Sequence, residues 1–208
     1  AAGRVGGRSR LRRGRDGYHH EPRAGEAHAG LGPPRRPRVS ERYARQMCLP
    51  EVGAEGQERL GAATVLIGGA GGLGCAAAQY LAASGIGTLG IADNDTVSIS
   101  NLHRQLLYTP ADAGQLKVTV ATERLRQQNP DIQIGAHPVK VTAANVMQLF
   151  EPYDIIVDGT DNFDTRYLLN DAAVMLGKPL VYGAIYQYEG QVAVWNILNK
   201  DGNYSPNY

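Results

Sequence analysis

The chain has 208 residues, of which 43% are hydrophobic and 20% charged. That is ordinary for a globular protein and excludes a collagen-like, coiled-coil or disulfide-dense class. The formal net charge of +1 hides a split. Ten arginines against Asp16, Glu21 and Glu26 give residues 1–39 a charge of +7, which leaves −6 on the remainder.

Residues 1–39 are rich in Gly, Pro and Arg, and have almost no aliphatic side chains. Such a stretch cannot bury enough apolar surface to order itself, so it reads as a disordered basic leader or as a start placed too far upstream. A transit peptide or a nucleic-acid-binding tail is the alternative for it. No nucleic-acid partner is expected of the acidic remainder. No apolar run approaches the ~18 residues of a membrane span, and no secretory signal opens the chain. Cys48 and Cys75 are far apart without metal spacing, which fits a reducing, cytoplasmic setting better than a disulfide framework.

The ordered domain is expected over 40–208. Ser40 is placed as an N-cap for a short helix through Gln46, which Pro50 ends. A second short helix is expected over Ala54–Leu60. Ala63–Gly68 reads as a buried strand. Then come the glycine-rich stretch Gly69–Gly74, a small-residue helix over Cys75–Ala83 and a strand over Thr88–Ala92. Helices are expected over Asp112–Gln128, Thr142–Phe150 and Phe163–Leu176, the last with Gly177 just beyond its end. Strands are expected over Ile132–Ala136 and Asp154–Asp158. Pro179–Tyr186 and Gln191–Ile197 read as a hairpin closed by Glu189-Gly190. The fold class is therefore α/β and Rossmann-like. Its sheet is mostly parallel with helices on both faces, and becomes mixed at the C-terminal hairpin.

Gly69-Ala70-Gly71-Gly72-Leu73-Gly74 fits G-x-G-x-x-G, a turn that lets phosphates approach main-chain N–H groups at a helix N-terminus. Asp93 ends the next strand, where a carboxylate can accept bonds from ribose hydroxyls. These two features suit an NAD-dependent oxidoreductase equally well. The segment after Asp93 shifts the balance. It is a polar crossover containing Asp95, Ser100, Asn101, Leu102, His103 and Arg104, with Lys117 beyond. Cations beside a glycine loop suit a triphosphate; alternatively they pair with Asp95 or Asp112. Asp161 follows a strand at its carboxyl end, where Mg²⁺ can be held through one carboxylate and substrate phosphates. The other reading is that Asp161 or Asn162 caps the following helix.

Taken together, Arg42-Tyr43-x-Arg45-Gln46, the loop Gly69–Gly74, Asp93-x-Asp95, Ser100-Asn101-Leu102-x-Arg104-Gln105, Lys117, Thr160-Asp161-Asn162 and Gly183 to Val192 resemble the ThiF/MoeB family over about Glu41–Tyr208. These are adenylyltransferases of sulfur-carrier proteins, related to ubiquitin-activating enzymes. The resemblance implies ATP and Mg²⁺ as cofactors. The partner would be a ubiquitin-fold sulfur carrier ending in Gly-Gly, whose carboxylate is adenylated for sulfur transfer in cofactor biosynthesis of the molybdenum-cofactor type.

The same resemblance implies a nucleotide site lined by Gly69, Gly71, Gly72, Gly74, Asp93, Asp95, Ser100, Asn101, Leu102, His103, Arg104, Lys117, Asp161 and Asn162. Arg45, Arg104, Lys117 and Asp161 would be the catalytic set, with Asp161 on the metal and Arg45 crossing the interface of a homodimer. Where many members carry a zinc-binding Cys-x-x-Cys, this chain reads Ser205-Pro206-Asn207-Tyr208. Asn207 stands at the first cysteine position, so structural zinc is in doubt and the domain reads as cut short. A non-catalytic relative that binds a ubiquitin-fold partner is the remaining alternative.

Overall fold

The computed structural model describes residues 41–208; the leader 1–39 and the expected N-cap Ser40 lie outside the described residues. The chain enters through a 3₁₀ turn, Glu41–Tyr43, into α1 (Ala44–Met47) and α2 (Gly53–Ala62). The sheet and its helices follow: β1 (Thr64–Gly68), α3 (Gly72–Ser84), β2 (Thr88–Ala92), α4 (Lys117–Gln128), β3 (Gln133–His137), α5 (Val146–Phe150), β4 (Ile155–Asp158), α6 (Phe163–Met175), β5 (Leu180–Tyr186) and β6 (Glu189–Trp195). The six strands lie in the order β3-β2-β1-β4-β5-β6. All neighbours pair in parallel except β5 and β6, which form the antiparallel hairpin. The expected fold class is the one observed.

Alternation along β1 sets the layers. Val65 and Ile67 enter one core with Leu89, Ile91 and Ile134, covered by α3 and α4. Leu66 enters the other with Ile156, Leu180, Phe150 and Leu169, covered by α5 and α6. Successive strand side chains point to opposite faces, so near-continuous apolar strands require helices on both. Because β2 lies on one side of β1 and β4 on the other, the chain reverses direction there. The carboxyl ends of β1 and β4 then flank the crevice where open α/β sheets bind ligands.

Several boundaries differ from the sequence expectation, among them the start of α3, which is Gly72 inside the glycine loop and not Cys75. The helix expected from Asp112 starts at Lys117. Pro110–Asp112 instead form a separate 3₁₀ turn, with Thr109 and Asp112 bonded reciprocally as a capping box. Gly114 at φ 84° and the bridge between Thr96 and Leu116 then keep the backbone extended up to Lys117. The helix expected from Thr142 starts at Val146, because Asn145 Oδ1 accepts from Thr142 N at 2.8 Å and closes a turn first. The hairpin turns at Gln187-Tyr188, not at Glu189-Gly190: Tyr186 pairs with Glu189 and Ile185 with Gly190, and Gln187 takes the positive φ of 52°. Among the described residues no helix is long and apolar enough to cross a membrane.

His137, at the end of β3, makes a 2.7 Å hydrogen bond between Nε2 and the Tyr153 hydroxyl. Burial lowers its pKa. The folded state thus favours the neutral ring, and the unfolded chain takes up the proton first, near the ordinary value of about 6.5. Stability from this group is present above that pH and is lost as pH falls. The midpoint of urea unfolding should therefore drop more steeply from pH 7.5 to 5.5 in wild type than in His137→Gln. Equal slopes would contradict this assignment.

Candidate functional site

The crevice is shaped by three glycines in backbone contact. Gly69 follows β1 with φ +93°, and a Cβ there would lie 2.8 Å from the Gly159 carbonyl oxygen. A Cβ on Gly74 would lie 1.8 Å from the Gly69 carbonyl oxygen, and one on Gly159 would sit 3.1 Å from the Gly74 main chain. At Gly69 and Gly74 only glycine permits this approach, and at Gly159 a side chain would push the Gly74 main chain aside. It seats the N-terminus of α3 against the ends of β1 and β4. The N-cap is Gly71, which offers no capping side chain. The first-turn N–H groups of a 13-residue helix are thus left for an anionic ligand or water.

Asp93 is half-buried at the end of β2 and ties the loop to the crossover. Its Oδ2 accepts from Ala70 N and its Oδ1 from Asp95 N, each at 2.7 Å. Each oxygen keeps a lone pair for a ribose hydroxyl. Lys117 opens α4 and is 4% exposed. Its Nζ lies 3.0 Å from Asp95 Oδ2, and Asp95 keeps 63% of its side-chain surface exposed. The alternative sequence reading of this pair is met in part: Lys117 does pair with Asp95. Asp112 instead binds Arg124 at 2.5 Å. A buried ammonium with one exposed partner remains positioned for an incoming phosphate, since a lone Asp satisfies one of its three donors.

Arg104 lies over the loop: a Cβ on Gly72 would meet its Cγ at 3.5 Å. The guanidinium is exposed and contacts His103 Nε2 at 3.2 Å. Asn101 ends a 3₁₀ turn, Ile99–Asn101, and its carbonyl accepts from Arg104 N and Gln105 N, both at 3.1 Å. Ser100 Oγ pairs with Ser98 Oγ at 2.9 Å. Leu102 packs against the α3–α4 core, so its contribution is to hold the turn. Asn162 caps α6, accepting from Thr165 N at 2.9 Å. Asp161 beside it is exposed, and its carboxylate is not spent on the cap. Beyond Asn162 opens a cleft of about 220 Å³, lined by Lys140, Val141, Asn162, Asp164, Thr165 and Leu168.

The structure therefore gathers the loop, Asp93, Asp95, Asn101, Arg104, Lys117 and the Asp161–Asn162 turn around one crevice. It does not bring Arg45 there. The Arg45 helix is anchored at the opposite end of α3: Gln46 Nε2 donates to Ser84 O at 2.9 Å, and Gln57 Nε2 donates to the same oxygen at 3.1 Å. Tyr43 is buried, and its hydroxyl accepts from Asn129 Nδ2 at 2.8 Å. A helix of that length separates Arg45 from its own glycine loop by about 18 Å.

Two residues were missed as site members. Gln105 is 3% exposed with Oε1 unpartnered among the described residues, and its Nε2 lies 3.8 Å from a Cβ position on Gly71. Its place after Arg104 was the available signal. Lys140 lines the cleft, and nothing in its sequence context marks it. Cys75 is buried, with Sγ 3.3 Å from the Ala70 carbonyl. Burial pushes its thiol up, which suits packing over nucleophilic work.

The ThiF family profile matches residues 43–208. A sulfur carrier protein adenylyltransferase of Thermus thermophilus is 54% identical over 168 residues, covering 81% of this chain and 62% of that protein. An adenylyltransferase and sulfurtransferase MOCS3 of Anopheles gambiae is 54% identical over 155 residues, covering 74% of this chain and 35% of its own length. The chain thus spans less than two thirds of these curated relatives. Among solved structures, the E. coli tRNA N6-threonylcarbamoyladenosine dehydratase TcdA, in complex with ATP, matches with a TM-score of 0.64 at 29% identity, covering 67% of this chain and 57% of that one.

The glycine contact predicts its own cost. Gly74→Ala places a methyl 1.8 Å from a main-chain oxygen, with no flexible side chain to yield. It should destabilise the domain by about 3 kcal/mol or more, read by chemical denaturation. A change below about 1 kcal/mol would show that the loop can open without loss.

Proposed function

The chain belongs to the ThiF family, and on that premise we propose that it adenylates the C-terminal Gly-Gly carboxylate of a ubiquitin-fold sulfur carrier, using MgATP and releasing pyrophosphate. The observation that carries this reading is the buried Lys117 ammonium, held 3.0 Å from Asp95 next to an uncapped α3 N-terminus. Such an arrangement suits phosphates of high charge, and among the described residues no Ser–His or Cys–His hydrogen bond is present beside it.

The chemistry fits what the residues offer. A carboxylate is already a nucleophile, so no general base is required. A carrier carboxylate oxygen bonds to the α-phosphorus. The bond from that phosphorus to the oxygen bridging to the β-phosphate breaks, and its electron pair leaves with pyrophosphate. What remains for the protein is positioning and charge neutralisation. The α3 N–H groups would hold phosphate oxygens, Asp93 the ribose, and Arg104 and Lys117 the developing charge. The adenine would lie in the cleft beside Lys140 and Val141. Asp161 would hold Mg²⁺; its exposed carboxylate, free of the helix cap, fits an ion that keeps several waters and adds few carboxylates. When bound, the ion neutralises phosphate charge.

Arg45 enters from a second protomer in this reading, because its own loop lies a helix length away. A homodimer would place Arg45 of the partner subunit at the terminal phosphates. The setting is cytoplasmic, in keeping with two cysteines that are both free. The adenylated carrier then accepts sulfur for cofactor biosynthesis.

Carrier-dependent ATP–pyrophosphate exchange tests both the site and its sharing. Lys117→Ala and Arg45→Ala should each lower exchange at least 100-fold, the loss expected when a preorganised charge contact is removed, while both remain folded. Co-expressed in equal amounts, the two variants should recover about a quarter of wild-type exchange, because half the dimers then hold one complete site. No recovery would mean that Arg45 does not act across the interface. Full activity of Lys117→Ala would refute the phosphate site.

A further inference from the structure

A buried ion pair lies behind the Asp161 loop. Asp158 ends β4 and is 2% exposed. Its Oδ1 accepts two bonds from Thr160, from N at 2.8 Å and from Oγ1 at 2.6 Å. Arg166, in the first turn of the next helix, reaches the same residue from the other side: its Nη2 donates to the Thr160 carbonyl at 2.9 Å. Thr160 thus has its N–H, hydroxyl and carbonyl all committed to two charged side chains. Asp161 is the next residue, so the main chain that carries its exposed carboxylate starts from a peptide whose carbonyl Arg166 holds.

The clamp is anchored in turn. Arg166 Nε sits 3.9 Å from Asp158 Oδ2 with side-chain exposures of 11% and 1%, and neither of these two atoms has a hydrogen-bond partner among the described residues. The Arg166 guanidinium lies 5.3 Å from the Tyr182 ring centroid on β5 and donates from Nη1 to the Tyr182 hydroxyl at 3.3 Å. Tyr182 also stacks on Tyr208 at 5.0 Å and 27°, and Tyr208 N donates to Asn170 Oδ1 at 2.9 Å. Burying two charges for stability alone is poor design, because apolar residues of like volume usually serve as well or better. A pair that fixes one loop atom by atom has a geometric use instead.

We infer that Asp158 and Arg166 are positioning residues that clamp Thr160 so that Asp161 is presented to the metal of MgATP. This rests on the reading of Asp161 as the metal-holding carboxylate. Groups behind a metal ligand typically account for 10–100-fold in metal affinity, so loosening the clamp should be visible in the metal dependence while the nucleotide pocket stays intact.

The test is isothermal titration of the full chain with ATP, first in EDTA and then over a MgCl₂ series, alongside thermal unfolding of each variant. Thr160→Val removes only the hydroxyl donor, Thr160→Ser restores it, Arg166→Lys removes the planar fork, and Asp161→Asn reports on the ligand itself. Thr160→Val and Arg166→Lys should each raise the Mg²⁺ concentration for half-maximal tightening about tenfold. ATP affinity in EDTA should stay unchanged, and Thr160→Ser should behave as wild type. If Asp161→Asn shifts the Mg²⁺ dependence but folded Thr160→Val and Arg166→Lys do not, the clamp is overturned and the Asp161 reading stands. If Asp161→Asn shifts nothing, both fall together.

Discussion

Gly69, Gly74 and Gly159 meet where β1 ends, α3 begins and β4 ends. At Gly69 and Gly74 the main chains approach more closely than a Cβ would allow, and this contact decides where the N-terminus of α3 points. With the helix seated there, its unbonded first-turn N–H groups face the crevice between β1 and β4, at the position where the strand order reverses. Gly69 takes the left-handed backbone the turn demands. Asp93 then fastens the loop through Ala70 N, and the Tyr108 hydroxyl holds the Ala70 carbonyl at 2.9 Å. The crevice floor is thus a backbone construction, with side chains added at its rim.

The charges follow from that frame. Lys117 is buried at the start of a helix whose N-terminal boundary is fixed by the capping box at Thr109 and the positive φ of Gly114. Moving that boundary to Asp112, as the sequence alone suggests, would carry Lys117 a turn and more into the helix and away from Asp95. The crossover is itself braced by Arg124, which bonds Asp112 and, at 3.1 Å, the Thr109 hydroxyl. Arg104 is the exception. It is exposed, touches the loop through its aliphatic stem, and its guanidinium contacts only the exposed His103 ring among the described residues. A buried lysine and an exposed arginine around one loop suit a charge that grows and leaves within a reaction.

Much of this was legible beforehand, for physical reasons. The strand–glycine loop–helix–strand unit shows through its apolar runs and its glycine spacing, and β2 begins and ends where Thr88 and Ala92 suggest. The joint motifs identified the family before any geometry was available. What the sequence did not show were local hydrogen-bond choices. Asn145 closes a turn instead of extending a helix. Gln187, a residue with no turn preference, takes the left-handed position that Gly190 would fill more easily, because the cross-strand register of β5 and β6 decides the turn. Lys140 and the Asp158–Arg166 pair are ordinary residue types whose places arise only from tertiary neighbours, whereas Gln105 stood in the motif without a reason to single it out. Arg45 was expected to act across a homodimer interface, and the fold puts its helix at the far end of α3 from its own loop.

The most direct measurement is mass spectrometry of purified sulfur carriers incubated with this chain, ATP and Mg²⁺. The account predicts that one carrier gains the mass of a single AMP, that the gain depends on its intact Gly-Gly terminus, and that pyrophosphate appears in equal amount. A chain that binds ATP yet adds AMP to no carrier would be a non-catalytic relative, and one that binds NAD in place of ATP would be an oxidoreductase; either result contradicts the account.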